Sequence, residues 1–158
     1  MKVLITGITG FLGSHLASTL LKANKYDLVG AYRDVNKAKV LEKQGIEMRK
    51  VDLLKPETLK NCTRDADVVV HLAALMRFHD PFKKLYSHNV TATQRIADDA
   101  LHHNVQHFIY ASSTEAIGPV DTVPGNETSS YHPTYAYGKT KQIAELWLLQ
   151  KQQTNKLP

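Results

Sequence analysis

The stretch Thr6-Gly7-Ile8-Thr9-Gly10-Phe11-Leu12-Gly13 decides the fold of this chain. The apolar run Val3–Ile5 precedes it and predicts a strand, while leucines spaced four residues apart follow it and predict a helix. In such a unit Gly7 would make the sharp turn, Gly10 would let backbone N–H groups approach phosphates, and Gly13 would let the helix lie close to the sheet. The helix N-terminus adds partial positive charge, so the stretch predicts a pyrophosphate-binding turn.

The rest of the chain alternates between strand-like and helix-like segments, which predicts an α/β fold with a Rossmann-type, doubly wound parallel sheet and helices on both faces. Apolar runs such as Val68–Val70 and Phe108–Tyr110 indicate strands buried on both faces. The predicted strands are Lys2–Thr6, Asp27–Tyr32, Glu47–Val51, Asp67–Leu72 and Gln106–Ala111. The predicted helices are Phe11–Ala23, Asn36–Gln44, Pro56–Asn61, Pro81–His102 and Pro133–Gln153, with a loop over Gly118–His132.

The length of the chain fits one domain, since 158 residues of which 42% are hydrophobic can enclose one core. The last residues, Lys156–Pro158, arrive where a sixth strand should begin. We therefore expect residues 1–158 to form one dinucleotide-binding domain, truncated before the sixth strand and a substrate-binding lobe. It would be the N-terminal part of a longer protein.

Composition excludes several classes of partner. The net charge is +5, but the basic residues are scattered and form no stripe with aromatic residues, so we expect no nucleic-acid partner. No apolar run approaches the roughly 20 residues that cross a bilayer, and the single cysteine, Cys62, suits a reducing compartment. We expect a cytoplasmic protein without a membrane partner. The histidines have no Cys, Asp or Glu partners at ligand spacing, so we expect no metal site.

Two tyrosine–lysine pairs with the same spacing compete for a chemical role in the last predicted helix. Tyr137 and Lys141 lie four residues apart, with their Cβ atoms expected about 5–6 Å apart on one helix face. Tyr135 and Lys139 have the same spacing. The first pair continues into the apolar Ala144 and Leu148, whereas the second continues into Gln142, Leu146 and Gln150 and would be mostly solvated. We select Tyr137 and Lys141.

A lysine beside a tyrosine changes what the tyrosine can do. The ordinary pKa of a phenol is about 10, so a free tyrosine is a poor base at neutral pH. A nearby ammonium stabilises the phenolate and lowers that pKa toward the working range. We therefore expect Lys141 to lower the pKa of Tyr137.

A serine-rich segment follows the fifth predicted strand. Residues 110–119, Tyr-Ala-Ser-Ser-Thr-Glu-Ala-Ile-Gly-Pro, lie at the carboxyl end of that strand, where open α/β sheets bind ligands. A serine here can hydrogen-bond a substrate oxygen while a tyrosine moves the proton. Helix capping and turn formation explain the same residues equally well.

Taken in order, these motifs resemble the extended short-chain dehydrogenase/reductase family, the NAD(P)-dependent epimerase/dehydratase and 3β-hydroxysteroid dehydrogenase group. The resemblance runs along all 158 residues. Beyond the glycine turn it rests on Asp52-Leu53, His71-Leu72-Ala73-Ala74, Asn89-Val90, Ser112-Ser113 and the Tyr137/Lys141 helix with Glu145.

The resemblance implies a role for each matching residue. A nicotinamide dinucleotide would be held at the pyrophosphate by Gly7, Thr9, Gly10, Phe11, Leu12 and Gly13, beside the adenine by Asp52 and Leu53, and along its length by Leu72, Ala73 and Ala74. Asn89 would order the active site, and Ser113, five residues before Gly118, matches the catalytic Ser/Thr position better than Ser112. Tyr137 would be the general acid and base, and Lys141 would be its partner and bind the cofactor ribose.

The choice of cofactor depends on the end of the second strand. An acid there would bind the 2′-hydroxyl of NAD, but this chain has Tyr32, then Arg33, then Asp34. Because a guanidinium binds phosphate as a two-pronged fork, Arg33 favours NADP(H) over NAD(H). Asp34 keeps NAD(H) open if the loop shifts.

We predict an oxidoreductase that transfers hydride between the nicotinamide and a small carbonyl or alcohol substrate. The segment Thr114–Pro119 resembles the hydroxysteroid dehydrogenase-like members of the family, and the loop after strand four is apolar at Met76 and Phe78, although core packing explains these two residues equally well. Both features favour simple redox chemistry over a nucleotide-sugar epimerase or dehydratase, which is one alternative. The other is a non-catalytic NADP(H)-sensing module. By analogy with the family, helices 81–102 and 133–153 could form a homodimer face.

Overall fold

Five parallel strands form one sheet in the structure, a computed structural model that describes residues 1–158 except for the side chain of Asn155. The order across the sheet is β3-β2-β1-β4-β5. The strands are β1 (Lys2–Thr6), β2 (Asp27–Tyr32), β3 (Glu47–Lys50), β4 (Val68–His71) and β5 (His107–Tyr110). The chain order reverses between β1 and β4, and this reversal opens a crevice at the carboxyl ends of the strands. The predicted Rossmann-type doubly wound sheet is confirmed.

Helices connect the strands and cover both faces of the sheet. They are α1 (Phe11–Ala23), α2 (Val35–Glu42), α3 (Pro56–Leu59), α4 (Phe82–Tyr86), α5 (Ala92–His102), α6 (Thr114–Ile117) and α7 (Ala136–Asn155). A π-helical segment, Ser87–Thr91, joins α4 to α5. Among the described residues, no helix is both long and apolar enough to span a bilayer.

Alternate residues of the central strands fill two separate cores. Leu4 and Val69 face one core, together with Ile96 of α5. Val3 and Val70 face the other, together with residues of α1 and α2. The period of two along a strand explains this division, and burial on both faces explains why the strands read as continuous apolar runs.

Four features of the fold differ from the predictions. Strand β5, the last strand of the sheet, is not buried on both faces, since Ile109 is 53% exposed. Helix α7 begins at Ala136, after Pro133 and the extended Tyr135, and not at Pro133. The predicted single helix 81–102 contains the π-helical segment, and the short helix α6 was not predicted.

Candidate active site

A cavity of about 430 Å³ lies in the crevice at the carboxyl ends of β1 to β4. Nine of the predicted cofactor residues line it together, which brings the glycine turn next to the ends of three other strands. These residues are Gly7, Thr9, Gly10, Arg33, Asp52, Leu53, Leu72, Ala73 and Ala74. Gly7 has φ of +71°, as its predicted turn requires.

Five predicted cofactor residues do not line this cavity. Phe11 and Leu12 begin α1, and their side chains are 84% and 57% exposed. Tyr137 and Lys141 belong to a separate buried cluster. Gly13 is buried beneath the turn and lies so close to it that a β-carbon at this position would be 2.3 Å from the carbonyl oxygen of Gly7. The close approach that Gly13 permits is therefore to the turn and not to the sheet, which corrects the prediction.

Lys37, Leu75 and His88 also line the cavity, although the sequence did not single them out. Lys37 could have been predicted from its position four residues after Arg33, but only if the residue at which α2 begins had been known. Leu75 and His88 come from the loop after β4 and from the π-helical segment, and their approach depends on the tertiary fold.

The end of β2 presents cations to the cavity. Arg33 and Lys37 both line it. The carboxylate of Asp34 is instead used as the N-cap of α2, since its Oδ1 accepts a hydrogen bond of 3.0 Å from the backbone N–H of Asn36. Asp34 therefore supports the helix that carries Lys37.

The two competing tyrosine–lysine pairs are separated by burial, as the helical faces predicted. Tyr137 is 5% exposed and Lys141 is 2% exposed, with Ala144 below them fully buried. Tyr135, in contrast, is 52% exposed. The exposed ring of Phe78 makes edge-on contacts with both tyrosines and flanks the outer side of Tyr137.

The pKa of Tyr137 is raised, contrary to the expected lowering. Burial is the largest cause, and the hydrogen bond from Ser113 works in the opposite direction. The ammonium of Lys141 is occupied elsewhere, because its Nζ donates to the carbonyl oxygen of Ala111 at 2.6 Å and lies 4.0 Å from the centre of the Tyr110 ring. Burial lowers the pKa of Lys141 to about 8, and the charge of Glu145 opposes that shift.

The two neighbouring serines point to different partners. Ser113 caps α6, since its hydroxyl oxygen accepts a hydrogen bond from the backbone N–H of Glu115. Its side chain also forms a hydrogen bond with Tyr137. Ser112 donates to the carboxylate of Glu145, which also accepts a bond of 2.7 Å from Tyr131. The capping role, one of the two alternatives that the sequence left open, is present in Ser113, and the hydrogen bond to a substrate oxygen stays a prediction.

Gly138 is a structural requirement of this cluster that the sequence did not reveal. A β-carbon at this position would lie 2.2 Å from the carbonyl oxygen of Glu115. Because position 138 has no side chain, the first turn of α7 can pack directly against α6. This contact brings Ser113 to Tyr137, and it could not be anticipated because α6 itself was not predicted.

Asn89, in the π-helical segment, joins the loop after β4 to α7. Its Oδ1 accepts from the backbone N–H of Leu75 at 2.7 Å, and its Nδ2 donates to the Leu75 carbonyl and to Thr140 at 3.1 Å each. Thr140 in turn donates to the carbonyl oxygen of Tyr137 at 2.7 Å. Asn89 thus lies between the cavity wall and the backbone of Tyr137.

The sheet order, the glycine turn and the buried Tyr137–Lys141 pair beside Ser113 define a protein of the short-chain dehydrogenase/reductase class. A family model described as "NAD dependent epimerase/dehydratase family" matches residues 3–158. The chain belongs to this family of enzymes, as the sequence motifs suggested.

Individual relatives agree with this assignment. The chain is 30% identical to an uncharacterized UDP-glucose epimerase of Bacillus subtilis, over 92% of its own length and 50% of the relative's. It is 33% identical to Protein CapI of Staphylococcus aureus, over 92% of its length and 48% of that protein's. The solved UDP-glucuronic acid 4-epimerase of Bacillus cereus in complex with NAD superposes with a TM-score of 0.85 at 28% identity, covering 98% of this chain and 53% of that one. The chain thus spans about half the length of the relatives that it matches.

Proposed function

We propose that residues 1–158 are the NAD(P)-binding part of an oxidoreductase that acts on an alcohol or carbonyl carbon, with Tyr137 as general acid and base. The observation that carries the proposal is the burial of Tyr137 and Lys141 on one helix face, with Ser113 bonded to Tyr137. Buried titratable groups with shifted pKa values are typical of catalytic sites. The half-length match supports a substrate-binding lobe outside these residues.

The cavity fits a dinucleotide at its glycine turn. A β-carbon at position 10 would meet only the carbonyl oxygen of Gly7, at 3.1 Å, so this position leaves the turn open toward the cavity. The turn, with Thr9, would hold the pyrophosphate, while Asp52 and Leu53 would border the adenine. When bound, the cofactor would supply or accept the hydride.

The residues of this chain would manage the proton. In the present arrangement the raised pKa keeps Tyr137 protonated at neutral pH, which suits donation to a carbonyl oxygen. Ser113 would donate a hydrogen bond to the same oxygen in place of its present bond to Tyr137. Lys141, whose pKa of about 8 leaves it mostly charged at neutral pH, would favour the phenolate when Tyr137 accepts a proton from an alcohol, provided that its ammonium leaves the carbonyl oxygen of Ala111.

The relatives favour a sugar nucleotide as the substrate. Two of them are named as epimerases of UDP-sugars, and epimerisation at an alcohol carbon uses the same proton transfers as simple redox chemistry. Two observations support the predicted preference for a simple carbonyl substrate: Met76 is exposed, and the ring of Phe78 contacts Tyr137. We place the sugar nucleotide first.

Replacement of Tyr137 tests the catalytic assignment. In the complete protein with its nicotinamide cofactor and UDP-glucose, Tyr137→Phe should lower kcat by at least about a hundredfold, because the proton carrier is removed. Tyr135→Phe is the matched control and should change kcat less than twofold. Equal losses in the two variants would contradict the assignment. Cofactor binding by a complete protein that turns over no substrate would instead favour the sensing module.

We also propose that NADP(H) is preferred over NAD(H), because Arg33 and Lys37 line the cavity while Asp34 caps α2. The family description and the Bacillus cereus complex name NAD, so this preference concerns the residues of this chain alone. Arg33→Ala should weaken NADP⁺ binding about tenfold and NAD⁺ binding much less, since only NADP⁺ carries the 2′-phosphate. Titration calorimetry measures both, and equal losses would refute the preference.

A homodimer is the remaining proposal. Phe82 of α4 and Leu146 and Leu149 of α7 are each about 45% exposed, so the two helices offer apolar side chains at the surface. Light scattering at several concentrations would detect the dimer. A monomer at every concentration would refute it.

A further inference from the structure

The imidazole of His71 lies at the centre of a buried line of hydrogen bonds. Its Nδ1 is 2.6 Å from Oγ1 of Thr6, at the end of β1, and its Nε2 is 2.9 Å from Oγ1 of Thr93, in α5. Each of the three side chains is 1% exposed. The ring of His71 takes no part in the cofactor binding or proton transfer proposed for Gly7, Tyr137 and Lys141.

The direction of every bond in this line follows from the neighbours. The Thr93 hydroxyl donates to the carbonyl oxygen of Asn89 at 2.7 Å, and a hydroxyl has one proton, so toward His71 it can only accept. Nε2 must therefore carry the proton of the ring. Nδ1 then accepts from the Thr6 hydroxyl, whose oxygen accepts the backbone N–H of Ala73 at 3.3 Å.

The two ends of the line reach the two halves of the candidate site. Thr6 and Ala73 line the cavity beside Gly7. At the other end, Asn89 bonds Thr140, and Thr140 donates to the carbonyl oxygen of Tyr137. Each hydroxyl along this path donates one hydrogen bond. With the proton of the His71 ring on Nε2, only one arrangement of protons satisfies the whole path.

We propose that His71 is a positioning residue, fixed as the neutral Nε2–H tautomer, that ties the cavity wall at Thr6 and Ala73 to the helices that hold Tyr137. This inference rests on the proposed function, because holding the cofactor against Tyr137 is what the positioning serves. A polar network that is satisfied in one arrangement is rigid, whereas the loss of one member leaves a buried donor unpaired.

The charge state of the ring agrees with this arrangement. Burial, followed by the charge of Lys141 in α7, lowers the pKa of His71 to about 3. Tyr110 of β5 stacks on the ring at 5.9 Å and is a neutral neighbour, because burial raises its pKa. The ring therefore keeps one donor and one acceptor across the physiological pH range.

The first arm of the test is the tautomer in the wild-type chain. Nuclear magnetic resonance of isotope-labelled histidine should show His71 as the Nε2–H tautomer, with nitrogen shifts that do not change between about pH 5 and pH 8. A ring protonated on Nδ1, or one that titrates in this range, would overturn the proposal whether or not the cofactor binds.

The second arm is a double-mutant cycle measured by the binding of NADP⁺, the cofactor that we propose this chain prefers. Thr93→Val and Thr6→Val should each weaken binding about tenfold, and the double variant should lose little more, because both act through one ring. Thr93→Ser retains the hydroxyl and should bind like the wild type. Additive losses, or a Thr93→Val variant that binds normally, would overturn the positioning role alone. Failure of the wild type to bind either NADP⁺ or NAD⁺ would overturn the proposed function and the positioning role with it.

Discussion

The glycine turn and the Tyr137 cluster form the two halves of one site by different means. The turn uses backbone, since a β-carbon at position 7 would lie 2.8 Å from the Ala73 nitrogen and one at position 13 would lie 2.3 Å from the Gly7 carbonyl oxygen. The cluster uses buried polar side chains whose pKa values are shifted, Lys141 and His71 among them. The turn should therefore respond to added volume, and the cluster to pH.

Gly13→Ala should produce the largest effect. The new methyl group would overlap the Gly7 carbonyl and Ile8, and backbone cannot move aside as a flexible side chain can. We expect a loss of about 3 kcal/mol in the free energy of unfolding, measured by denaturant titration.

Gly10→Ala is the matched control, because its methyl group would meet only one atom, at 3.1 Å. Stability should change by less than about 1 kcal/mol, while NAD⁺ binding weakens. Equal destabilisation by the two substitutions would remove the distinction between packing and cofactor approach within the turn.

Lys141→Met should alter the pH dependence of stability. The pKa of Lys141 falls from 10.5 to about 8 on folding, so between these values the unfolded chain binds more protons than the folded one. The contribution of Lys141 to stability is therefore unfavourable below pH 8 and improves as the pH rises. Relative to Lys141→Met, the wild type should gain about 2 kcal/mol between pH 8 and pH 10. Parallel curves for the two proteins would contradict this.

His71→Gln should produce a smaller effect at acidic pH. The pKa of His71 falls from 6.5 to about 3 on folding, so its contribution is fully present above pH 6.5 and declines as the unfolded chain takes up a proton. Between pH 6.5 and pH 5 the wild type should lose about 1.5 kcal/mol more than the variant. Denaturant titrations at several pH values measure the difference, and identical slopes would show that the ring is not buried in the neutral form.

The same comparison explains how far the sequence predicts the site. The glycine turn was predictable because its requirement is local: Gly7 and Gly10 act within one strand–turn–helix unit, and both line the cavity. The buried face of α7 was also predictable, since helical spacing alone separates Tyr137 from Tyr135. The predicted bounds of the five strands were correct to within one residue at each end, because the apolar runs that form strands are also local features of the sequence.

What the sequence did not predict depends on contacts between distant residues. The ammonium of Lys141 donates a hydrogen bond to the carbonyl oxygen of Ala111, thirty residues away, and not to Tyr137. Burial therefore dominates and raises the pKa of Tyr137, whereas spacing alone predicted a decrease. The exposure of Ile109 in β5 depends on which elements cover that face of the sheet, which the apolar run Phe108–Tyr110 does not reveal. His71 acquires its partners only when β1, β4 and α5 come together.

The π-helical segment Ser87–Thr91 has a consequence for how this chain can change length. A π-helical turn contains about one more residue than an α-helical turn, so removing one residue from the segment would leave a regular helix. Because the extra residue is accommodated within that one turn, α4 and α5 would keep nearly the same relative orientation, and only the side chains within the segment would change direction. Asn89 would then turn away from Leu75 and Thr140, and the helix would survive while its link between the two halves of the site was lost. A deletion that improves the local regularity of the chain would in this way be a loss-of-function change.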